Sequence, residues 1–441
     1  MALCIYRTDL NDFKTHELRK LLYVKPKEEA WMKRGNVSWA NKGTDDKSLT
    51  LIREEGDLVY IPLCFGMHYF KKNNDDNPYA RVQMKFTGSI RDVQKPYINQ
   101  AIDHLNTKRV TTLNMRPGFG KTTIASAISC SIGLLTVVLI RNKTLYPQWA
   151  KTYKERTTAS TWSVGEENPP QTVDVIICLW KRVNKISKEL RDMVGTLIID
   201  EAHRFNNREG VSSMLHFPAK FIIAATATFE KRNEMHSCME AFVGRDKVSN
   251  DQKVEFTITK YETGLVIEKT KRGNITNWTK LNQDILYNKE RNDIAIEVIL
   301  KAIGLGRKIL IFTNEVRHVS VIHELLKEKG IESCDWLTGS KSTYKDSTVL
   351  VSNPQKAGEG FDEEMFCEDF GGRRIDTVVL LASFKDIALL YQVCGRAFRA
   401  LNPWIIDFVD KVDTIERQYK EREWWYLRNG GTLSVERYIR K

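Results

Sequence analysis

The sequence predicts an α/β protein in which two tandem parallel-sheet domains follow a small N-terminal domain that is α+β or β-rich. Short apolar segments rich in β-branched residues alternate with amphipathic stretches, and this rhythm occurs twice along the 441 residues. Continuous apolar strands separated by helices are typical of parallel sheets covered on both faces. A chain of this length also favours two or three domains. We predict an N-terminal accessory domain at residues 1–85, a first α/β domain at 86–250 and a second at 251–441.

Two series of predicted strands carry this interpretation. The segments are residues 110–115, 134–140, 172–178, 196–200 and 220–225, then residues 308–313, 348–352, 376–381 and 404–409. Between the series the chain is polar, and extended segments at residues 254–259 and 264–268 predict a hairpin or an extended linker. Ahead of both series, residues 48–69 alternate in polarity and predict strands joined by a turn at residues 55–57.

The net charge indicates the kind of binding partner, and the cysteine spacing indicates the cellular compartment. The 68 Lys and Arg residues outnumber the 56 Asp and Glu residues, which gives a net charge of +12. Such an excess favours a polyanion, because neutralised phosphates release counterions. The eight cysteines include no CxxC pair, so a disulfide framework or a zinc site is not expected. We expect a reducing, cytoplasmic location, and no apolar segment predicts association with a membrane.

A glycine-rich loop follows the strand predicted at residues 110–115, and a helix follows the loop. Glycines let backbone N–H groups surround an anion, and the helix N-terminus adds partial positive charge. Lys121 is placed to reach the β- and γ-phosphates of a nucleotide, and Thr122 to bind Mg²⁺. Met115 stands where the phosphate-loop pattern has its first glycine, and the alternative is a turn that only caps the helix. The predicted nucleotide contacts in the loop are Pro117, Gly118, Phe119, Gly120, Lys121, Thr122 and Thr123.

An acidic pair follows the strand predicted at residues 196–200, at the edge where parallel sheets bind their ligands. Asp200 can hold the Mg²⁺ shell, and Glu201 can orient and deprotonate an attacking water. The alternative is an ordinary acidic exit from a strand. What favours the site is that the pair follows a phosphate loop in the order that nucleotide hydrolysis requires.

A third element lies near the end of the chain, where Gln392, Arg396 and Arg399 recur at i, i+4 and i+7. On a helix these side chains share one face. Two arginines can neutralise the charge that builds on a transferring phosphoryl group, whereas the alternative is a solvated basic face. The three elements together predict a nucleoside triphosphatase with a composite site.

These elements resemble motifs I, II and VI of superfamily-2 helicases: the loop, the DEAH residues at 200–203 and the QxxGRxxR residues at 392–399. Over residues 88–440 the chain is similar to viral members, near the phage branch-migration helicase UvsW and the XPB-like helicases of large DNA viruses. The resemblance implies two RecA-like domains, ATP and Mg²⁺ in the cleft between them, and a monomer in the host cytoplasm. Lys121, Glu201, Arg396 and Arg399 are then the catalytic set.

The resemblance also implies roles for further nucleotide-binding and coupling residues. Residues 90–94 resemble the LRxxQ element that reads adenine, and residues 357–362 resemble motif V. The nucleotide contacts that these elements and motif VI imply are Arg91, Gln94, Gly360, Asp362 and Gln392. The residues expected to couple hydrolysis to nucleic acid are His203, Thr226, Ala227 and Thr228.

Segments similar to motif Ia, the motif after the next strand and motif IV imply contacts with nucleic acid. The candidates are Arg141, which replaces the usual proline, and Lys143, Gln148, Trp180, Lys181, Asn314 and Arg317. Each of them is alternatively a solvated surface residue, and Trp149 is assigned to the core. Trp31, Lys33, Arg34 and Trp39 give the N-terminal segment an aromatic and basic character suited to a fork or duplex. The alternative is a domain that only packs against the motor. An insert at residues 363–374 is either a wedge or a surface loop.

The leading functional prediction is an ATP-dependent DNA helicase or translocase. Its expected substrates are forks, displacement loops and Holliday junctions in viral replication or recombination, a choice that depends on the resemblance. An RNA-directed or transcript-release ATPase is the alternative in the same class. A non-catalytic, nucleotide-gated binding module and the motor subunit of a restriction or nuclease assembly are two further alternatives.

Overall fold

In the computed structural model, residues 1–24, 48–226, 236–250, 253–268, 271–272, 275–358 and 361–439 are described. The chain divides into two compact units, Met1–Asn250 and Asp251–Lys441. Each unit contains a parallel sheet with helices, so the predicted fold class is confirmed. No helix within these ranges is long and apolar enough to cross a membrane.

The N-terminal segment forms a small sheet and two helices. Its elements are β1 Ala2–Tyr6, α1 Asp12–Leu21, β2 Tyr23–Val24, β3 Leu49–Thr50, β4 Arg53–Glu55, β5 Leu58–Pro62 and α2 Leu63–Phe70. Strands β1, β5 and β4 pair antiparallel in that order, and β2 pairs with β3. Gly56 makes the β4–β5 turn at φ +57°, in the left-handed region that favours glycine.

The strand prediction for residues 48–69 is wrong after Pro62, where the chain becomes helix α2. Leu63 and Gly66 are the buried positions of this helix, a spacing of three that suits a helix rather than a strand. A Cβ atom on Gly66 would lie 2.7 Å from the Leu3 side chain, so the absence of a side chain lets α2 approach β1 closely. The close packing of α2 against β1 therefore favours a helix here, and the polarity pattern alone did not predict it.

The first unit continues with a seven-stranded sheet whose described strands are all parallel. The strands are β6 Val110–Asn114, β7 Thr136–Ile140, β8 Thr161–Ser163, β9 Val175–Leu179, β10 Thr196–Ile199, β11 Phe221–Thr226 and β12 Val248–Ser249. Their spatial order is β12-β6-β11-β10-β7-β9-β8. The helices are α3 Lys95–Lys108, α4 Lys121–Ile132, α5 Leu145–Arg156, α6 Lys188–Asp192, α7 Arg208–Leu215 and α8 His236–Val243.

The N-terminal segment packs into the same hydrophobic core as this sheet. The Ala2 backbone N–H donates to the Phe217 carbonyl at 3.0 Å. The Asn74 side-chain amide donates to the carbonyls of Ala2 and Pro218 at 2.8 and 3.3 Å. The separation of residues 1–85 from residues 86–250 stays a prediction, since both lie in the first compact unit.

The second unit contains another seven-stranded parallel sheet. Its strands are β13 Phe256–Glu262, β16 Ile309–Phe312, β17 Cys334–Leu337, β18 Val349–Ser352, β19 Thr377–Leu380, β20 Trp404–Val409 and β21 Gly431–Arg437. Two further strands, β14 Lys271–Arg272 and β15 Ile275–Thr276, form a separate antiparallel pair. The order in the large sheet, among the described residues, is β17-β18-β16-β19-β20-β13-β21. The helices are α9 Trp278–Leu286, α10 Lys289–Gly304, α11 Val316–Glu328, α12 Glu363–Phe366, α13 Ile387–Cys394 and α14 Asp413–Arg428.

The hairpin or linker predicted across residues 254–259 is wrong, because β13 is an internal strand of the second sheet. Ile258 pairs with Ile405 of β20 on one side and with Leu433 of β21 on the other. Both partners come from the last 40 or so residues of the chain, so the pairing is long-range and no local pattern announces it. Residues 264–268 form no strand.

An ion pair buried from water joins α14 to β20. The Arg422 guanidinium donates to both carboxylate oxygens of Asp407 at 2.8 and 2.9 Å, and each side chain is 1% exposed. The Tyr426 hydroxyl donates to Asp407 at 2.9 Å, and Arg422 also donates to the Ser383 hydroxyl at 2.9 Å. The charges are thus compensated by geometry and by additional hydrogen bonds, the condition under which a buried pair is tolerated.

We expect Asp407→Asn to destabilise the second unit by about 3–5 kcal/mol, since it leaves the Arg422 charge buried without its partner. Hydrogen exchange of backbone amides in β20 and α14 measures this effect locally. The matched control is Glu332→Gln, which removes the exposed pair between Lys327 and Glu332, 3.3 Å apart, and is expected to cost about 0–1 kcal/mol. Equal protection in the two variants would show that the buried pair does not hold α14 to the sheet.

Candidate active site

The phosphate loop leaves β6 and is fixed at both ends. The buried Met115 donates its backbone N–H to the Thr226 carbonyl at 3.1 Å, and its own carbonyl accepts Lys121 Nζ at 3.1 Å. Gly118 and Gly120 have φ values of +78° and +96°. The Met115 side chain, which stands where the motif has a glycine, is therefore buried in the core. Its backbone carbonyl contacts Lys121.

The LRxxQ element lies directly against this loop. The Gln94 side-chain amide donates to the Phe119 carbonyl at 2.7 Å, and the Arg91 guanidinium donates to the same oxygen. The Arg91 backbone N–H donates to Gln94 Oε1 at 3.0 Å, which fixes the orientation of the amide. The structure thus brings Arg91 and Gln94 to the loop as predicted, and their contact with adenine stays a prediction.

The acidic pair follows β10, where Asp200 is buried and both of its oxygens are held. Trp149 Nε1 donates to Oδ2 at 2.9 Å, and the Glu201 backbone N–H donates to Oδ1 at 3.0 Å. Burial and the neighbouring Glu201 charge raise the pKa of Asp200 to about 6, whereas the Trp149 donor and the Lys121 charge act to lower it. A carboxylate that water does not reach favours an additional cation nearby.

Glu201 has a left-handed backbone with φ +49°, unusual for a residue with a side chain. This conformation turns the chain from β10 into the short 3-10 helix Ala202–Phe205. Glu201 Oε2 lies 3.5 Å from His203 Nδ1 and, within the described residues, has no hydrogen-bond partner. A strained backbone that presents a carboxylate in this way is typical of catalytic positions.

Two of the predicted coupling residues meet next to the acidic pair. His203 Nδ1 and the Thr226 hydroxyl are hydrogen-bonded at 2.9 Å. The Thr226 carbonyl accepts the Met115 N–H, so this residue contacts motif II through its side chain and motif I through its backbone. Ala227 and Thr228 lie outside the described residues.

In the second unit, the continuous helix predicted for residues 392–399 is wrong. Helix α13 ends at Cys394, Gly395 is its C-cap, and Ala397–Arg399 forms a 3-10 turn. The side chains of Gln392 and Arg396 are buried, so the face is not a solvated basic surface. Arg396 and Arg399 are nevertheless brought to one place by their contacts with motif V.

Both arginines bind the motif V segment. The Arg396 guanidinium donates to the Phe361 carbonyl at 2.6 Å and to the Gly358 carbonyl. Arg399 donates to Asp362 Oδ2 at 2.8 Å. Burial acts to raise the pKa of Asp362, but Arg399 and Arg374 outweigh it and hold that pKa below its usual value. Gly360 lies outside the described residues.

Three of the candidate nucleic-acid contacts form one cluster in the first unit. The Arg141 guanidinium and Lys181 Nζ each lie 5.1 Å from the centre of the Trp180 ring, in cation–π contact. Trp180 is only 8% exposed, so the cations, rather than the indole, are the groups that face solvent. Arg141 also donates to the Arg204 carbonyl in the turn after the acidic pair.

The other candidates lie apart from this cluster. Lys143 is exposed and 3.7 Å from Glu166, while Gln148 is half-buried on α5. In the second unit, Asn314 exchanges amide hydrogen bonds with Asn282 at 3.1 and 3.3 Å, and Arg317 is exposed at the start of α11. Trp31, Lys33, Arg34 and Trp39 lie outside the described residues.

The insert at residues 363–374 is anchored to the second unit. The buried Glu363 carboxylate accepts the Ile375 N–H at 2.9 Å. Arg374 lies 3.7 Å from both Asp362 and Glu363, and its guanidinium is 4.8 Å from the Phe370 ring centre. The insert is therefore tied to motif V, and its role as a wedge stays a prediction.

Sequence reasoning assigned Trp149 to the core alone and missed its contact with Asp200. The indole is buried, as predicted, but a buried indole N–H requires an acceptor. The need for an acceptor could therefore have been predicted from the sequence. The identity of the acceptor could not, because Asp200 lies 51 positions away in the chain.

The geometry of these two units can be compared with known proteins. Residues 87–231 match the family described as the type III restriction enzyme, res subunit. A candidate helicase of Invertebrate iridescent virus 6 is 24% identical over 427 residues, covering 89% of this chain and 93% of that protein. A candidate ATP-dependent RNA helicase of Acanthamoeba polyphaga mimivirus is 23% identical over 431 residues, covering 91% and 80%. A transcript termination protein of Yaba-like disease virus is 22% identical over 382 residues, covering 78% and 76%.

Among solved structures, Saccharomyces cerevisiae Dbp5 bound to RNA and ADP BeF3 has a TM-score of 0.52 at 13% identity. The match covers 77% of this chain and 89% of that chain, and it shows the fold. Phage T4 UvsW is matched over 97% of both chains at 14% identity, with a TM-score of 0.36.

The two seven-stranded sheets are tandem RecA-like domains, the fold that Dbp5 shares. The relatives agree with the resemblance to viral superfamily-2 helicases: over most of its length the chain is similar to helicases of large DNA viruses.

The residues present fit the ATP and Mg²⁺ that the similarity to helicases implies. The glycines of the loop have the positive φ values that expose backbone N–H groups to phosphates, with Lys121 beside them. No cluster of three or more metal-ligating side chains occurs in the described part of the chain, but Mg²⁺ binds through one or two carboxylates together with phosphates. Asp200 and Thr122 stay the predicted ligands of that ion.

Gly120→Ala is expected to weaken ADP binding at least tenfold, the factor that 1.4 kcal/mol produces, because strain and a clash combine. The new Cβ would lie 2.5 Å from Gln94 Nε2, in a backbone with φ +96°. Gly133→Ala is the matched control, since its φ is +66° but its nearest neighbour is an ordinary 3.5 Å away. Titration with a fluorescent ADP measures both. Equal affinities in the two variants would mean that Gln94 does not constrain the loop.

Proposed function

We propose that the protein is an ATP-driven nucleic-acid motor that unwinds or remodels branched DNA. The observation that carries the ATPase part is the contact, within the first unit, between the phosphate loop, the DEAH residues and Thr226 at the end of β11. Lys121 donates to the Met115 carbonyl, and the Met115 N–H donates to the Thr226 carbonyl. The Thr226 hydroxyl is hydrogen-bonded to His203, which lies 3.5 Å from Glu201. Glu201 in turn donates its backbone N–H to Asp200. Such an arrangement hydrolyses a nucleotide and senses its γ-phosphate.

Hydrolysis would begin with water that Glu201 orients and deprotonates. Lys121 and the loop N–H groups would hold the phosphates, and a bound Mg²⁺ would supply charge neutralisation there. Asp200 and Thr122 would bind that ion. Arg396 and Arg399 are proposed to stabilise the transferring phosphoryl group, as the family resemblance implies.

Nucleic acid would be held mainly through its phosphates, which is why the grip is independent of sequence. The cluster of Arg141, Trp180 and Lys181 supports this part of the proposal, since two cations lie on one ring. Lys143 and Arg317 add exposed positive charge in the two units. The net charge of +12 agrees with a polyanionic partner.

Branched DNA is proposed as the substrate on the resemblance of the motifs to branch-migration and XPB-like helicases. We also propose that the motor acts as a monomer in the host cytoplasm, during replication or recombination. Base-pair opening costs roughly 1.4 kcal/mol per step, which ATP hydrolysis readily exceeds.

A transcript-directed ATPase is the second candidate. It is favoured by one observation: the Yaba-like disease virus relative is named for transcript termination, and the mimivirus relative for RNA helicase activity. Both matches extend over more than three quarters of this chain. The substrate must therefore be decided by measurement.

The deciding measurement is ATP hydrolysis without nucleic acid and with single-stranded DNA, forked DNA or RNA. We expect forked DNA to stimulate the wild type most. Glu201→Gln is expected to lower kcat by about 10²–10⁴-fold, the contribution of a general base. Glu155→Gln, an exposed residue paired with Lys151 at 3.8 Å, is the matched control and should hydrolyse ATP normally.

Each alternative has its own outcome in this experiment. Stimulation by RNA alone would replace branched DNA with the transcript-directed function. Nucleotide binding without turnover under any condition would leave a nucleotide-gated binding module. A motor subunit of a nuclease assembly would require a stable partner chain, which co-purification would reveal.

A further inference from the structure

Helix α5 and the end of the strand that leads into it make three contacts with the acidic pair and its surroundings. Trp149 donates to Asp200 Oδ2 at 2.9 Å, and Tyr153, one turn later, shares a 2.8 Å hydrogen bond with Ser129 of α4. Arg141, at the end of the strand that leads into α5, donates to the Arg204 carbonyl after the acidic pair. The segment between β7 and the end of α5 is thus tied to the acidic pair, to the turn after it and to α4, the helix that follows the phosphate loop.

The bond from Trp149 has an unusual acceptor. An indole N–H buried to this degree is satisfied by any neutral carbonyl, as Trp162 shows with the Glu167 carbonyl at 3.1 Å. Trp149 donates instead to a buried carboxylate whose other oxygen is already held by the Glu201 N–H. With one donor on each oxygen, the rotation of the Asp200 carboxylate is fixed, and its remaining lone pairs point in set directions.

The position of Trp149 in the helix also matters. It follows Gln148, one of the candidate nucleic-acid contacts, and the ring stacks on Tyr153 with centroids 6.2 Å apart. A displacement of α5 by a bound strand would move the indole together with Gln148, because both belong to the same helical turn. Because the indole donates to Asp200, that displacement would also shift the Asp200 carboxylate.

We propose that Trp149 is a positioning residue of the ATPase, which fixes the Asp200 carboxylate for the metal ion and links that carboxylate to the nucleic-acid-binding helix. The inference rests on the proposed function for the identity of the site. It assigns to Trp149 an action through Asp200, without contact between the indole and the nucleotide.

The test is binding of a fluorescent ADP while Mg²⁺ is titrated, with wild type, Trp149→Phe and Trp162→Phe. Phenylalanine retains a ring against Tyr153 and removes the donor together with part of the buried ring, a loss of volume that Trp162→Phe reproduces. Trp149→Phe is expected to raise the Mg²⁺ concentration for half-maximal binding about tenfold, the lower end of the effect of losing an outer-shell partner. Trp162→Phe should need the same Mg²⁺ concentration as wild type, and ADP binding in EDTA should be equal in all three proteins.

An unchanged Mg²⁺ requirement in Trp149→Phe would overturn the proposal, and so would an equal loss of ADP binding in EDTA, which indicates a structural role. If Trp149→Phe does not fold, β-(benzothienyl)alanine introduced at position 149 keeps the shape of the side chain and replaces only the N–H by sulfur. The same two outcomes then apply to that protein.

A second readout tests the link to nucleic acid. Trp149→Phe should reduce the ratio of DNA-stimulated to unstimulated hydrolysis, and an unchanged ratio would overturn the link. The binding measurement needs neither turnover nor nucleic acid. A wild type that binds Mg²⁺ and ADP normally but is not stimulated by any nucleic acid would therefore refute the proposed motor while the Asp200 result stands.

Discussion

The position of β11 between β6 and β10 is the constraint on which the candidate site depends. Ile199 pairs with Ala224, and Thr226 pairs with Asn114, so three strands end at one edge of the sheet. Motifs I and II lie far apart in the chain, and the residue that ends β11 fills the space between them. Thr226 therefore contacts both without any long side chain, which makes the backbone register of the sheet a determinant of the chemistry.

Strands buried on both faces were the part of the fold that the sequence predicted best. Segments such as Thr136–Ile140 and Val349–Ser352 are continuous and apolar because both faces are covered. The predictions failed where long-range packing decided the element. β13 depends on partners near the end of the chain, and the two arginines after α13 are held by the distant motif V segment. Neither outcome is encoded in a local period.

The candidate site shows the same division. The loop glycines, Lys121 and the acidic pair were predictable, because their chemistry demands particular residue types at a particular spacing. The partners that hold them were not, since a buried indole or guanidinium can satisfy its donors in many ways. Arg141 illustrates this point: the residue was predicted to bind nucleic acid, and its guanidinium donates to the backbone after the acidic pair and stacks on Trp180. Its contact with nucleic acid stays a prediction.

Two buried carboxylates, Asp407 in the second unit and Asp200 in the candidate active site, are compensated to different degrees. In the second unit, Asp407 is neutralised completely by Arg422, with Tyr426 as an additional donor, and such a closed network holds one conformation. In the first unit, Asp200 is buried with neutral donors on both oxygens and no cation in direct contact among the described residues. Burial and the Glu201 charge raise its pKa, Lys121 only partly opposes them, and a fully compensating charge is missing. A bound cation would supply it, so the carboxylate gains most from the metal because the protein leaves it uncompensated.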